Sequence, residues 1–515
     1  MNAVGLAMLL ALGVCILTTG LPVWALLLGL SMGFAVLGVG MGAFDMGLLY
    51  AMPARMVGVL EHDLLQALPL YVLVGVLLAR LGVGAAIYDT LYAALAGNRL
   101  TRHAAPALAG LGVGAIIAPM NGSVASSANL LARLVSTHRK QDQNQTQLAQ
   151  HTASLSAAAT IGVVVPPSLV LLLLGDAMLR AHTEASNFKG FVLNPALNGG
   201  RIVNTQDILN AALIPAALVL ALWCVIAWAQ SWRASQPLKL AAGSTSDTLT
   251  REPSDLKANH GRLNASGLRF STGCAALIAI GLIIGLLWGV FTGKVFAVEA
   301  AAMAGCALLL WAPVLPLLNR LKFVKKPLTP LAWDAALWDT LALSGALIAL
   351  LLGASMFSLI FRAWGTDVWM TQLAQHSGLS PLGLALAMIA VVMLCAAVLD
   401  AFEMIFVIIP ILAPVLIQAL GDAQQASVLL LLALQISFLL PPMGYALMLT
   451  RQQGPSIQTR TLLWAIAPYI AAQLAVMVLV FAAPDWVHRL DAPSAPAAAA
   501  ESEADIVQRM NEMVK

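Results

Sequence analysis

Apolar residues fill this chain in blocks long enough to cross about 30 Å of hydrocarbon, with short polar or charged stretches between them. The pattern predicts membrane crossings near residues 3–19, 21–40, 67–85, 151–176, 208–230, 272–291, 297–318, 337–361, 425–450 and 461–483. Two further apolar segments, 104–135 and 380–420, are too long for one straight span. Each is interrupted near its centre, the first by Pro119-Met120-Asn121-Gly122-Ser123 and the second by Leu399-Asp400-Ala401. Either a re-entrant hairpin or a long tilted helix satisfies that pattern.

Inside two of the predicted crossings stands a double proline, Pro166-Pro167-Ser168 and Pro441-Pro442-Met443-Gly444. Proline removes an amide donor and clashes with the preceding turn, so each pair breaks its helix at membrane depth, where no bulk water reaches the freed carbonyls. Broken helices in matched positions point to a transport site. The spacing repeats as well: Gly75 stands 47 positions before Gly122, and Gly353 stands 47 before Asp400. Two inverted halves are therefore expected, residues 1–230 and 271–485, joined by a polar, proline-containing linker at 231–270 and followed by a tail at 486–515.

Composition agrees with a polytopic all-α membrane protein. Of the 515 residues, 60% are hydrophobic and 10% charged, far below the roughly one-quarter charged of an ordinary soluble domain. The net charge of +3 is spread over loops, which leaves no footprint for nucleic acid. With the N-terminus outside and both hairpins re-entrant, Arg99, Arg102, Arg133, Arg233, Lys239, Arg320, Lys325 and Arg451 fall on the inner side. The outer side is sparser, holding Arg55, Arg180, Lys189, Arg201 and Lys294, as the positive-inside rule requires. The start of the chain has no basic stretch before its first apolar run, so the first helix is expected to be retained. All five cysteines lie in apolar segments without metal-ligand spacing and read as small core residues.

Two stretches could carry chemistry. In Asn121-Gly122-Ser123-Val124-Ala125-Ser126, small residues permit close approach, and the hydroxyls of Ser123 and Ser126 with exposed carbonyls are the hard oxygens that a sodium ion takes; ordinary small-residue helix packing is the alternative. Asp400 and Glu403 are three apart and share one helical face in apolar surroundings, so they either serve a transport site or, in the case of Asp400, cap the helix beginning at Ala401. Asp176 is expected at the interface and Glu299 near the outer end of its helix. There is no phosphate-binding loop, no HExxH and no serine elbow, so the sequence predicts no enzyme and no ATP-driven pump. No cofactor is implied beyond a coupling ion.

These residues give the chain a resemblance to the large membrane subunit of tripartite ATP-independent periplasmic (TRAP) transporters. It rests on Leu68-Pro69-Leu70-Tyr71, Gly122-Ser123-Val124-Ala125, Gly162-Val163-Val164-Val165-Pro166-Pro167-Ser168, Val298-Glu299-Ala300-Ala301 and Leu434-Gln435-Ile436-Ser437-Phe438-Leu439-Leu440-Pro441-Pro442-Met443-Gly444-Tyr445. The stretch Leu399-Asp400-Ala401-Phe402-Glu403-Met404-Ile405 is similar to the branch labelled mannitol/chloroaromatic compound transport. The resemblance implies an inverted-repeat elevator with two re-entrant hairpins and two broken helices. It implies sodium-coupled uptake of an organic acid anion across a bacterial inner membrane. Its partners would be a periplasmic substrate-binding protein and a small four-helix membrane subunit. A first sodium region would fall on Gly122, Ser123 and Pro166 to Ser168, and a second on Asp400 and Pro441 to Gly444, with Ser123, Ser168 and Asp400 as sodium ligands. Asn121, where the family more often has serine, and Met443 depart from its common pattern. A self-sufficient sodium–carboxylate symporter of the same architecture would share this physics without partners; a membrane-embedded enzyme or receptor lacks any supporting constellation.

Overall fold

The computed structural model describes residues 4–61, 63–121, 124–136, 145–166, 168–186, 203–235, 270–320, 332–396, 399–440, 444–452 and 457–490, and among them every regular element is helical. The outer elements of the first part are α1 (Val4–Thr19), α2 (Val23–Gly40), α3 (Gly47–Leu60), α4 (Asp63–Arg80) and α5 (Val83–Ala96). They are followed by α6 (Ala105–Asn121), α7 (Val124–Ser136), α8 (Gln145–Thr160), α9 (Leu169–Ser186) and α10 (Thr205–Ser235). The rest comprises α11 (Phe270–Phe291), α12 (Ala297–Arg320), α13 (Trp333–Ala363), α14 (Thr366–His376) and α15 (Pro381–Ala396). Then come α16 (Ala401–Leu420), α17 (Ala423–Ser437), α18 (Tyr445–Gln452), α19 (Thr459–Ala482) and the short α20 (Asp485–His488).

Five of these helices, α2, α10, α13, α16 and α19, are long and apolar enough to cross a membrane unaided. Their outward faces carry the apolar side chains that hydrocarbon demands, such as Val36 on α2, Val225 on α10, Leu341 on α13 and Val478 on α19. The remaining crossings are shorter, or are broken and completed by two pieces. The segment expected as one span at 67–85 ends instead at Arg80, and the chain turns by 61° into α5. Gly82 makes that turn with φ +67°, a left-handed conformation that a side chain would strain. Gly365, also at φ +67°, makes the corresponding turn between α13 and α14. The helices α3, α5 and α14 were not expected; at 14, 14 and 11 residues each is shorter than a run that crosses hydrocarbon.

Both long interrupted segments are hairpins. α6 packs against α7, and α15 packs against α16, which a straight tilted helix could not do. The core of the molecule is built from α8 and α17. Every residue of α17 is buried, as is every residue of α8 from Thr152 to Thr160. A helix enclosed on all sides needs no polar face, and these two sit where hairpins and spans converge. α6 lies on α8 and α15 on α17, while α19 packs on α8 and α10 on α17. Around this centre α2 packs on α13 and α12 on α4, with α4 and α13 in contact.

Cys15, Cys224 and Cys395 are half-buried and pack against the core as small apolar side chains, as expected, whereas Cys306 is exposed; the side chain of Cys274 lies outside the described residues.

Glycine allows α6 to cross the end of α8 backbone to backbone. A Cβ on Gly114 would lie 2.4 Å from the carbonyl oxygen of Ala158, and one on Gly162 would lie 2.3 Å from the carbonyl carbon of Ala118. The obstructing atoms are backbone on both sides, so relief would require the two elements to part. Gly162→Ala is therefore expected to lower the yield of folded protein and its unfolding temperature, at a cost of at least about 1–3 kcal/mol. Gly305→Ala, whose nearest neighbour would be Val74 at 3.7 Å, is expected to leave both near normal. Thermal unfolding of detergent-purified variants followed by size-exclusion chromatography checks the pair.

Candidate functional site

The first broken helix changes character in steps. After α8 the backbone tightens into a 3-10 turn, Ile161–Val163, and the amides of Val164 and Val165 both turn back to the carbonyl of Ile161 at 3.1 Å. Pro166 follows, and Ser168 starts the second half by accepting the amide of Leu171 at 3.0 Å while donating to the carbonyl of Val163 at 3.4 Å. Ser168 thus caps α9 and ties it back across the break, in a position only 1% exposed. Pro167 lies outside the described residues, as do Gly122 and Ser123 between α6 and α7.

The second break follows the same logic with other atoms. Beyond α17 the amides of Leu439 and Leu440 return to Ile436, and the amide of Gly444 returns to Leu440 at 2.8 Å. Ala446 donates back over the break to Phe438 at 3.2 Å. Gly444 is buried, and Pro441 and Pro442 lie outside the described residues.

Side chains join the two broken helices to each other. Gln435 of α17 donates its Nε2 to the carbonyl of Thr160 at 3.3 Å. Thr160 is where α8 passes into the 3-10 turn, so the amide of one broken helix adds a donor at the break of the other. Gln473 of α19 donates in turn to Gln435 Oε1, and both glutamines are fully buried. Nearby, the hydroxyls of Ser156 on α8 and Thr450 on α18 share a hydrogen bond of 2.6 Å. Sequence reading placed Gln435 inside a motif without a role; its signal was a lone amide in an otherwise apolar run. Nothing in the local sequence pairs Ser156 with Thr450, which are 294 positions apart.

The hairpins are seated on this pair of helices. The last turns of α6 lie against the 3-10 turn through Ala118 and Gly162, which brings the first hairpin to the first break. Ser126, in the first turn of α7, is partly buried, and α7 packs on both α8 and α18. In the second hairpin α15 packs on α17, and α16 packs on α9. Each hairpin therefore touches both broken helices. Asp400 stands at the N-cap of α16 with extended backbone, and Glu403 Oε2 accepts the Asp400 amide at 3.1 Å in the reciprocal arrangement of a capping box. Immediately after it, Met404–Ile408 forms a π-helical turn, a wider winding that concentrates where helices carry function. The capping role expected for Asp400 is thus present. Asp176 lies within α9, paired with Arg180 at 2.8 Å, and Glu299 in the first turn of α12 accepts the amide of Phe296 at 2.9 Å.

The described residues bring hydroxyl and carbonyl oxygens to both helix breaks. No group of three or more histidine, cysteine, aspartate or glutamate side chains suited to a metal ion occurs among the described residues.

A sequence model of the family described as tripartite ATP-independent periplasmic transporter, DctM component, matches residues 4–486. Among curated proteins, the sialic acid TRAP transporter permease protein SiaT of Haemophilus influenzae (strain 86-028NP) is 23% identical over 469 residues. The match takes in 88% of this chain, and the chain spans 66% of that relative's length. Among solved structures, the YdaH transporter of Alcanivorax borkumensis has a similar fold, with a TM-score of 0.50 at 15% identity, covering 86% of this chain and 89% of that one.

Replacing Gln435 by leucine keeps the volume and removes the donor to Thr160. The expected result is a loss of about 1–3 kcal/mol, from the bond to Thr160 and from the buried Gln473 amide left without its acceptor, read as a lower unfolding temperature. Replacing both Gln435 and Gln473 by leucine should cost less than the sum of the single changes, because the two amides share one network.

Proposed function

The chain belongs to the DctM component of the tripartite ATP-independent periplasmic transporters, and from that premise we propose that it carries an organic acid anion inward across a bacterial inner membrane, driven by sodium. It is a multi-pass membrane transporter component rather than an enzyme. Its partners in this reading are a periplasmic substrate-binding protein, which delivers the anion, and a small four-helix membrane subunit. The curated relative is named for sialic acid, whose carboxylate fits the proposed class.

The observation that carries the reading is the bonding of the two broken helices into one unit, by Gln435 to the Thr160 carbonyl and by Ser156 to Thr450. Helices tied to each other across their breaks, and covered by two hairpins, are suited to move together against the surrounding spans. In the proposed organisation residues 1–230 and 271–485 are inverted halves, 231–270 is the inner linker and 486–515 a tail. Exchange of packing partners supports this: α2 lies on α13 as α12 lies on α4, and α7 lies on α18 as α16 lies on α9. Left-handed glycines at Gly82 and Gly365 bend the matching helices. The unit would travel as an elevator, carrying its ions and substrate between the two faces.

Sodium is a hard cation, matched by hydroxyl, carbonyl and carboxylate oxygens rather than by soft ligands. Ser123, Ser168 and Asp400 are the proposed ligands, with Gly122, Ser126, Pro166, Pro167, Glu403, Pro441, Pro442 and Gly444 shaping the two regions. A ligand that binds only the folded form raises its stability by an amount that grows with the logarithm of concentration, about 2.7 kcal/mol at one hundred times Kd. The purified protein is therefore expected to unfold at a higher temperature in sodium chloride than in potassium or choline chloride at equal ionic strength. Equal unfolding temperatures in all three salts over a wide concentration range would remove sodium from the account. Asp400→Asn, which still caps a helix, should keep the salt-free unfolding temperature near that of the parent and reduce the sodium-dependent rise. Loss of folded protein in this variant, with the sodium response intact in what remains, would leave Asp400 as a cap alone.

A further inference from the structure

The bend at Gly365 is fastened to the outer spans and yet grips the first broken helix. Trp364 is 4% exposed and packs edge-on to Phe44, between α2 and α3, with ring centroids 5.3 Å apart. Thr366 is fully buried against α1, so close that a Cβ on Gly5 would lie 2.0 Å from its hydroxyl oxygen. One turn before the bend, Arg362 Nη2 donates to Glu184 Oε2 at 2.6 Å. Glu184 is in the last turn of α9, the second half of the broken helix. At the matching bend, Arg80 precedes Gly82 and pairs with Asp339 of α13, and there both partners belong to spans packed directly on each other. Only one of these two arginines reaches from the outer spans to a broken helix.

Resting on the moving-unit reading above, we infer that the Arg362–Glu184 pair is a latch that holds the broken-helix unit in one access state. The surrounding charges make it a switch with two sides. Asp367, just past the bend, lies within electrostatic reach of Glu184 and repels it, and its Oδ1 is buried without a hydrogen-bond partner. Arg55 of α3 is within reach of both Arg362 and Arg180. Taking away Arg362 leaves Glu184 facing Asp367, and taking away Glu184 leaves Arg362 facing Arg55. Each single loss turns an attraction into a repulsion. A shift of one helical turn, about 5.4 Å, is enough to part the ion pair.

The test uses the full chain in lipid nanodiscs, with its native cysteines replaced and spin labels on Leu21→Cys, between α1 and α2, and Ser186→Cys, at the end of α9. Two distance populations are expected, with a ratio that responds to sodium. Glu184→Gln and Arg362→Gln should each shift that ratio in the same direction by roughly two- to tenfold, the range of a part-exposed ion pair. The charge exchange Glu184→Arg with Arg362→Glu should move it back towards the parent, and Arg80→Gln should leave it unchanged. If a variant fails to fold, raising choline chloride from low to high concentration on the parent should screen the pair and produce the same shift. Two populations indifferent both to these charge changes and to salt would overturn the latch and keep the moving unit. A shift that charge exchange does not reverse would overturn it too. A single distance under every condition would instead remove the moving unit on which the latch depends.

Discussion

A helix that stops inside hydrocarbon leaves carbonyls that no bulk water can reach, and this fold is organised around satisfying them. Two helices stop in this way. Local tightening deals with part of the problem, through the 3-10 turn at Ile161–Val163 and the returns of Leu439 and Leu440 to Ile436. The Thr160 carbonyl, at the entry to that turn, also accepts from Gln435 of the other broken helix. Because the donor comes from a distant part of the chain, the breaks cannot be stabilised independently. The polar need of one helix fixes the position of the other.

That dependence explains why so many buried polar residues are tolerated in a chain that is 60% hydrophobic. Gln435, Gln473, Ser156 and Thr450 would each be costly in isolation, yet the three hydrogen bonds among them and to Thr160 leave Gln473 Oε1 as the one buried side-chain atom of the four residues without a partner. Close packing then requires small residues around the same region. Gly114 against Ala158 and Gly162 against Ala118 let the hairpin backbone come near enough to cover the break. Bonding and packing thus select the same few positions, and a larger residue in either place would expose what the hairpin covers.

Much of this was legible in the sequence, and for a physical reason. Hydrocarbon thickness fixes span length, so α1, α2, α10, α11, α12 and α19 fall within a few residues of the expected ranges. Paired prolines announce breaks through backbone geometry alone, which located both interrupted helices, whereas the centres at Pro119–Ser123 and Leu399–Ala401 left a hairpin and a tilted helix equally open. Elements too short to span stayed hidden, α3 and α14 among them, and the turn at Gly82 splits what looked like one span. At the site, the capping geometry of Asp400 could be expected because its determinants are adjacent in the chain. The hydrogen bond between Ser156 and Thr450 could not, since it depends on how two helices separated by 294 positions are brought together.

The same distinction separates what is rigid from what can be switched. Neutral hydrogen bonds buried between the broken helices have no competing water, so they hold in every salt and keep those helices together. The contact from the outer spans to α9 is of another kind: the Arg362 side chain is 39% exposed, and its partner Glu184 is 17% exposed. A part-exposed ion pair is weak enough to be broken within a transport cycle, and its strength depends on the charges beside it. A transporter needs both kinds of bond in these places. In the proposed elevator, the unit that encloses the site must not come apart as it moves, whereas its hold on the surroundings must be strong enough to define a state and weak enough to release it.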